Sequence, residues 1–518
     1  MTDTPPPNDE TTENDESTID SSLSRIIRNS TFNAAGMFLI LPLNFVALFT
    51  MARRLGAASM GVFFTVLAIA AVIHWIADAG ITTVLTRHIA RTPELLRTHV
   101  AEALGMMLLV VTSSVLLFLA VATPWTYLKL DYVPWALLLT AAVVMVARHM
   151  IDFAANIFRG IERFEFENLA RVTQALAFCL FVWFFVPEGA SDATTGFLAY
   201  LGSNSLAAVV IWACLFLGWC APLPKLDLNI ARRWYKESFP LGVGDVVRQL
   251  FMQLDTLLLS ALSTATAVGL FAVAVRPLQP LRLVPRTIVS VTFPMMSRAA
   301  HLDHAQFSQM FAKTTNLLWI AAFPICIGIT VCAGPFILAT AGPKFTDAIL
   351  PLQIVIWATI VTFINTQLRF AFTAFNAEHK YWRLCCGSLI AKAIVCTALI
   401  TTFGLYGACI GLLASECVVA FVGLRMLRTL DVHGPSIPQL LRVVPAVVAM
   451  VLTLIPFTQS GAPIWWVSIG MLLSGVVYLA ACLVMGAWPR EDVQQFLQVV
   501  RRGLGGGATP AMGTSRGS

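Results

Sequence analysis

Runs of about 20 apolar residues, each closed by a cluster of Arg, Lys, Pro or Gly, recur from residue 31 to residue 487, and a run of that length matches a helix crossing the hydrocarbon core of a bilayer. The pattern predicts about fourteen helices, near 31–52, 60–85, 99–122, 133–157, 168–186, 195–219, 239–262, 266–296, 314–339, 348–376, 384–403, 405–428, 440–457 and 463–487. Pro445 and Pro456 fall inside the thirteenth, already short, and Pro277, Pro280 and Pro285 interrupt the eighth. Breaks at proline free backbone carbonyls and permit bending. No basic start followed by an apolar run and a small-residue cleavage site precedes the first span, which is therefore expected to stay in the mature chain.

Composition points the same way. The chain is 58% hydrophobic and 12% charged, against about 25% charged in an average soluble domain. An ordinary globular enzyme is excluded, and the expected fold class is an all-α polytopic membrane protein. The eleven cysteines lie almost entirely in apolar runs without CxxC or zinc-type spacing, so they read as reduced, buried hydrophobes.

The net charge of +6 averages unlike parts. Residues 1–24 form an acidic tail with Asp3, Asp9, Glu10, Glu13, Asp15, Glu16 and Asp20, expected to be disordered because it has little apolar surface to bury. Taking those seven from 28 acids leaves 21 against 34 bases, a net +13 on the remainder. With the N-terminus placed in the cytoplasm, 23 basic residues fall in inside connections and only Arg53, Arg54, Lys129 and Lys344 outside. That asymmetry predicts that both termini, including a C-terminal tail over 489–518, are cytoplasmic.

An internal repeat is also visible. Gly36/Gly244, Gly61/Gly269 and Phe63/Phe271 are each separated by 208 residues, and the last two pairs lie in equivalent connections. A repeat of six spans predicts an N-lobe over 25–222 and a C-lobe over 223–430, parallel bundles related by an axis along the membrane normal, with a helix pair appended over 431–488.

Ordered motifs then carry a resemblance. Leu55-Gly56 with Gly61, Asp78-Ala-Gly80 and Arg87 come first. Pro240-Leu-Gly242, Asp255-Thr-Leu-Leu-Leu, Val268-Gly269-Leu-Phe, Ala274-Val-Arg276, Phe293-Pro294 and Ser297-Arg298 follow. Phe375-Asn376-Ala-Glu-His-Lys380, Phe403-Gly404-Leu-Tyr-Gly407-Ala and Glu416 complete the series. Together they resemble the polysaccharide (O-antigen) flippase family of the multidrug, oligosaccharidyl-lipid and polysaccharide exporter superfamily. The resemblance implies alternating access between two lobes, moving an undecaprenyl-diphosphate-linked glycan from the cytoplasmic to the outer leaflet of a bacterial inner membrane. It implies membrane lipid and the polysaccharide polymerase or export machinery as partners, with no cofactor, metal or nucleic acid.

Charges within spans are functional candidates because each is costly in hydrocarbon. They are Arg148, Arg248, Arg276, Arg282, Arg286, Arg369 and Lys392, with Asp78, Asp152, Asp245, Asp255 and Glu416 at comparable depth. Counting along the helices pairs Asp255 with Arg276, Asp245 with Arg286, and Lys392 with Glu416 as structural clamps. Arg248 and Arg282 are then left for a substrate diphosphate, which accepts bidentate hydrogen bonds from guanidinium; the alternative for Arg248 is Asp245, three residues earlier. Arg148 has Asp152 one turn on, so an intrahelical pair competes with a substrate role. Arg276 and Arg286 stay among the candidate substrate contacts. His74 reads as a core histidine or a proton relay, and His301 and His304 beside Asp303 as a solvated loop.

No GxxxxGK[ST] loop exists, so transport is expected to be secondary rather than ATP-driven. A cation-coupled drug exporter is a rival, which would need an acidic cavity. A lipid II flippase is another, and the extra helix pair fits it. A membrane glycosyltransferase or polymerase is more remote, because Asp131, Glu188, Asp192 and Asp347 are scattered over short connections.

Overall fold

The computed structural model describes residues 36–129, 133–190, 192–219, 223–225, 227–430, 432, 443–458 and 464–485. The acidic 1–24 tail, the 489–518 tail, Asp131 and Cys220 lie outside the described residues, as do Arg25, Arg28 and Arg442 of the inside basic set. Every regular element among the described residues is helical.

Ten described helices are long and apolar enough to cross a membrane. They include α1 (Gly36–Leu55), α2 (Ala57–Asp78), α4 (Leu96–Lys129), α5 (Trp135–Gly160), α6 (Phe164–Phe185) and α7 (Ala193–Gly218). α8 (Leu228–Leu262) is not among them, because its latter half, the predicted seventh span, carries Asp245, Arg248 and Asp255. The eighth predicted span is three helices, α9 (Ala265–Val275), α10 (Leu278–Leu281) and α11 (Leu283–Leu302). The breaks fall at the prolines, which cannot donate to the carbonyl four residues back. α12 (His304–Thr340) is continuous through Pro324 and Pro335. The tenth predicted span is divided into α13 (Ile349–Val355) and α14 (Ala358–Ala374).

α15 runs from Glu378 to Arg428, 51 residues, or about 77 Å at 1.5 Å per residue, more than twice the hydrocarbon thickness. It is two spans, because Gly404 at φ 54°, ψ −123° turns the chain out of helical geometry where a side chain would be strained. The Val444–Leu454 and Ile464–Val484 helices complete the set. The chain is an all-α polytopic membrane protein.

Compactness divides the chain into two units, one from Met1–Pro280, Thr340–Val355 and His379–Val419, the other from Leu281–Ala339, Ile356–Glu378 and Ala420–Ser518. This division is by packing and does not follow the repeat boundary at 222/223.

In the first unit α2 is the axis, packed by α4, α5, α8 and α9. A Cβ built on Gly61 of α2 would stand 1.7 Å from the Ala265 carbonyl oxygen of α9, and one on Gly269 of α9 would stand 1.9 Å from the Ala57 carbonyl oxygen. Ala57 and Ala265 are also 208 apart. The contact is therefore reciprocal, residue for residue, as between two copies across a two-fold axis. At the other end of α2, the Asp78 carboxylate accepts from the Gly80 N–H and the Thr82 hydroxyl, which closes the turn into α3 (Ile81–Arg91). α3 buries Ile81, Val84, Leu85 and Ile89 at helical spacing against Phe153, Phe158 and Trp234.

In the second unit, Gln367 of α14 is fully buried, yet its amide donates to the Phe311 carbonyl and accepts from Thr315 of α12. Tyr478 donates to the Ile320 carbonyl at 2.9 Å, and with Cys482, Val467, Met450 and Ala446 it seats the last two helices on α12.

Candidate functional site

α9 stops at Arg276 because Pro277 follows, so this guanidinium sits at the mouth of a break rather than along a continuous helix wall. Arg276 donates to Gln279 Oε1 at 3.3 Å and lies 4.4 Å from the centroid of Phe64. Among the described residues no carboxylate stands within 4.0 Å of it. It opens onto a cavity of about 490 Å³ walled by Leu41, Asn44, Phe45 and Leu48 of α1, Phe63, Phe64 and Leu67 of α2, Gln174 and Phe178 of α6, Tyr200 of α7, and Gln279. The volume suits a ligand headgroup. Neutral amides, aromatic rings and one arginine without a counter-ion make a chamber suited to an anion.

Tyr200 is fixed edge-on between Phe63 and Phe178, with ring centroids 5.9 and 5.2 Å away. Its hydroxyl accepts from Arg148 Nη1 at 2.8 Å. Arg148 thus reaches across to α7 rather than down its own helix to Asp152. The Asp152 carboxylate meets His74 Nε2 of α2 at 3.3 Å, and the His74 ring stacks on His149 with centroids 4.0 Å apart.

The structure corrects several pairings drawn from depth alone. Lys392 pairs with Asp255 at 2.7 Å, not with Glu416, and both side chains are about 5% exposed. The Lys392 ammonium also donates to the Phe251 carbonyl at 2.9 Å, and the Cys396 thiol to Asp255 at 3.4 Å. Asp255 is therefore not the partner of Arg276, whose side chain leaves α9 toward Phe64; equal depth does not mean a shared face. Arg248 pairs with Asp245 at 2.9 Å in its own helix, over the Trp75 ring, so its charge is answered locally. Arg282 and Arg286 begin α11 in the second unit, and they and Glu416 are each engaged by neighbouring groups. Arg369 is exposed beside Phe370. No cluster of three His, Cys, Asp or Glu able to hold a metal occurs among the described residues.

Three groups escaped the sequence reading. Tyr200 lies in an apolar run and Gln174 beside Thr173 and Arg171, and neither gave a periodic signal. Glu237, near the charged start of α8, is clasped by Arg87 and by His88 Nε2 at 3.0 Å, both from α3. Burial pushes the Glu237 carboxyl up, but hydrogen bonds from His88 and Arg87 and their charge outweigh it and hold the group below its ordinary range. Arg54 donates to the carbonyls of Val182, Trp183 and Val186, which occupies the C-terminal end of α6.

Comparisons with known proteins agree with this architecture. An Escherichia coli (strain K12) protein named for O-antigen transport is 22% identical over 325 residues, covering 62% of this chain and 76% of that one. A Haloferax volcanii protein named as a flippase, AglR, is 24% identical over 262 residues, covering 49% and 55%. Among solved structures, the lipid II flippase MurJ in an inward closed conformation superposes with TM-score 0.69 at 13% identity, over 87% of this chain and 98% of that one. An inward-facing multidrug resistance MATE family transporter of the MOP superfamily gives 0.63 at 17% identity, over 75% and 94%. At such identities these two speak to the fold. Residues 26–300, just over half of the chain, match the family described as polysaccharide biosynthesis protein, and the chain belongs to that family.

Proposed function

We propose that this protein is a secondary flippase that carries an undecaprenyl-diphosphate-linked oligosaccharide from the cytoplasmic to the outer leaflet of a bacterial inner membrane. The observation that carries the reading is Arg276, a cation without a carboxylate partner among the described residues, opening on an aromatic-walled cavity inside a helix bundle. A diphosphate desolvated in such a chamber regains its hydrogen bonds from guanidinium and amide donors. The names of the two relatives support a flippase role, and the reciprocal Gly61/Gly269 contact supports lobes at 25–222 and 223–430 with 431–488 appended. Alternating access of those lobes moves the headgroup, with both termini cytoplasmic. Membrane lipid bathes the chain, and the polymerase or export machinery takes the product.

A drug exporter for cations fits less well, because no Asp or Glu lines the described cavity. The lipid II reading has the MurJ-like fold in its favour, and the genetic outcome separates it. Deleting the gene should leave lipid-linked repeat units on the inner leaflet and remove one surface glycan while cell-wall synthesis continues. An intact glycan profile would refute the proposal. Complementation with Arg276→Gln at normal protein level should fail; full rescue would remove Arg276 from the site.

A further inference from the structure

We infer that Tyr200 is a second direct donor to the substrate's diphosphate, and that Arg148 acts through it as a positioning residue. The inference rests on the reading of the Arg276 cavity as the anion site.

A phenol has one proton and two lone pairs. Arg148 has no lone pair to offer, so its 2.8 Å bond to Tyr200 takes one of the oxygen's lone pairs and cannot take its proton. Among the described residues that proton has no acceptor, and the hydroxyl belongs to a side chain lining the same cavity as Arg276. The ring cannot swing away, because Phe63 and Phe178 hold it from two sides.

Arg148 itself does not line the cavity. Its nearest acid along the helix, Asp152, is turned toward His74, and no carboxylate lies within ion-pair distance of Arg148 among the described residues. The positive charge is thus delivered to the cavity through the Tyr200 oxygen. A hydroxyl that accepts from a cation is a stronger donor to an anion, because successive hydrogen bonds polarise one another. Arg276 at the end of α9 and Tyr200 on α7 then supply donors from two different elements, an arrangement that suits an anion with acceptors on two linked phosphates better than a lone carboxylate.

The test uses the full-length protein in lipid nanodiscs and two probes, undecaprenyl diphosphate and undecaprenyl monophosphate. Tyr200→Phe keeps the ring and its packing, and it should weaken diphosphate binding at least about tenfold, the worth of a hydrogen bond to a charged group. Monophosphate binding should fall less. Arg148→Gln should weaken binding in the native background but cost little more once Tyr200 is Phe, whereas a purely structural Arg148 would give additive losses. Native-like binding by Tyr200→Phe beside a failing Arg276→Gln overturns the Tyr200 assignment and leaves the anion reading intact. Native-like binding by Arg276→Gln overturns the anion reading itself. If Tyr200→Phe does not fold, Tyr200→3-fluorotyrosine keeps ring and hydroxyl with a more acidic proton: tighter diphosphate binding supports the inference, and unchanged or weaker binding rejects it.

Discussion

Replacing Gly61 by alanine sets a Cβ 1.7 Å from the Ala265 carbonyl oxygen, a backbone atom that no rotamer change can move aside. Ordinary carbon-to-oxygen contacts lie at about 3.3 Å or beyond, so α2 and α9 must part by about 1.6 Å. Forcing such overpacking typically costs about 1–3 kcal/mol, and the obstruction is backbone, so the upper end applies. The better helix propensity of alanine returns about 1 kcal/mol, which leaves a net loss of about 2 kcal/mol for Gly61→Ala. Gly269→Ala should cost a similar amount, because its Cβ would meet the Ala57 carbonyl oxygen in the two-fold-related way, at 1.9 Å. The double variant is decisive. One separation relieves both clashes, so the pair should cost well under the sum of the singles, with a coupling of about 1 kcal/mol or more. The measurement is equilibrium unfolding of purified protein in mixed micelles. Gly387→Ala serves as control, since that residue has open space around its Cβ position and should gain up to about 1 kcal/mol. Strict additivity, or a stabilised Gly61→Ala, would refute the reciprocal-contact argument.

Other outcomes follow from the ion pairs. Removing one partner of the buried Lys392–Asp255 pair, as Asp255→Asn or Lys392→Met, should destabilise by about 3–5 kcal/mol, while Asp255→Leu with Lys392→Met should lie far closer to wild type; equal losses in all three would reject a pairwise role. Arg248→Gln should cost less stability than loss of either partner of the Lys392–Asp255 pair, because its bridge to Asp245 is much less buried by protein, and transport by this variant should exceed that of Arg276→Gln in a flux assay. Glu237 has a depressed folded-state pKa, so the clasp stabilises fully above its unfolded value of about 4.3 and loses that contribution as pH falls through the lower folded value. Acid unfolding of Glu237→Gln should accordingly show a flatter pH dependence below about 4.3; an unchanged slope would remove the clasp from the acid response.

The spans were legible because lipid imposes a length and a polarity on every crossing helix, and both are one-dimensional properties of the chain. The charge pairings were not, since depth along a helix is readable from residue count but the direction in which a side chain leaves it depends on which neighbours pack there. Asp255 and Arg276 shared a depth and yet face different elements; Asp255 finds Lys392, 137 positions on in sequence, because the α8 and α15 faces meet at that point. Arg248 answered to the local rule of i,i+3 spacing, which was readable beside it. The reciprocal glycines announced themselves by their 208-residue offset, though only the fold could say that the two copies touch. Tyr200 is one of seven tyrosines in the chain, and nothing in its neighbourhood distinguishes a cavity-lining hydroxyl from a packing ring until Arg148 is seen to donate to it.

The bond from Arg54 to the end of α6 has a consequence for the order in which the protein is made. Its acceptors lie 128 to 132 residues further along the chain, and ribosomes deliver roughly 5–20 residues per second. The guanidinium at the end of α1 must therefore wait some seconds to tens of seconds for its carbonyls, with water or lipid phosphate serving it meanwhile. Insertion of α6 ends that interval, so slowing synthesis between residues 60 and 180 should prolong a stage at which the Arg54 guanidinium is without its protein acceptors.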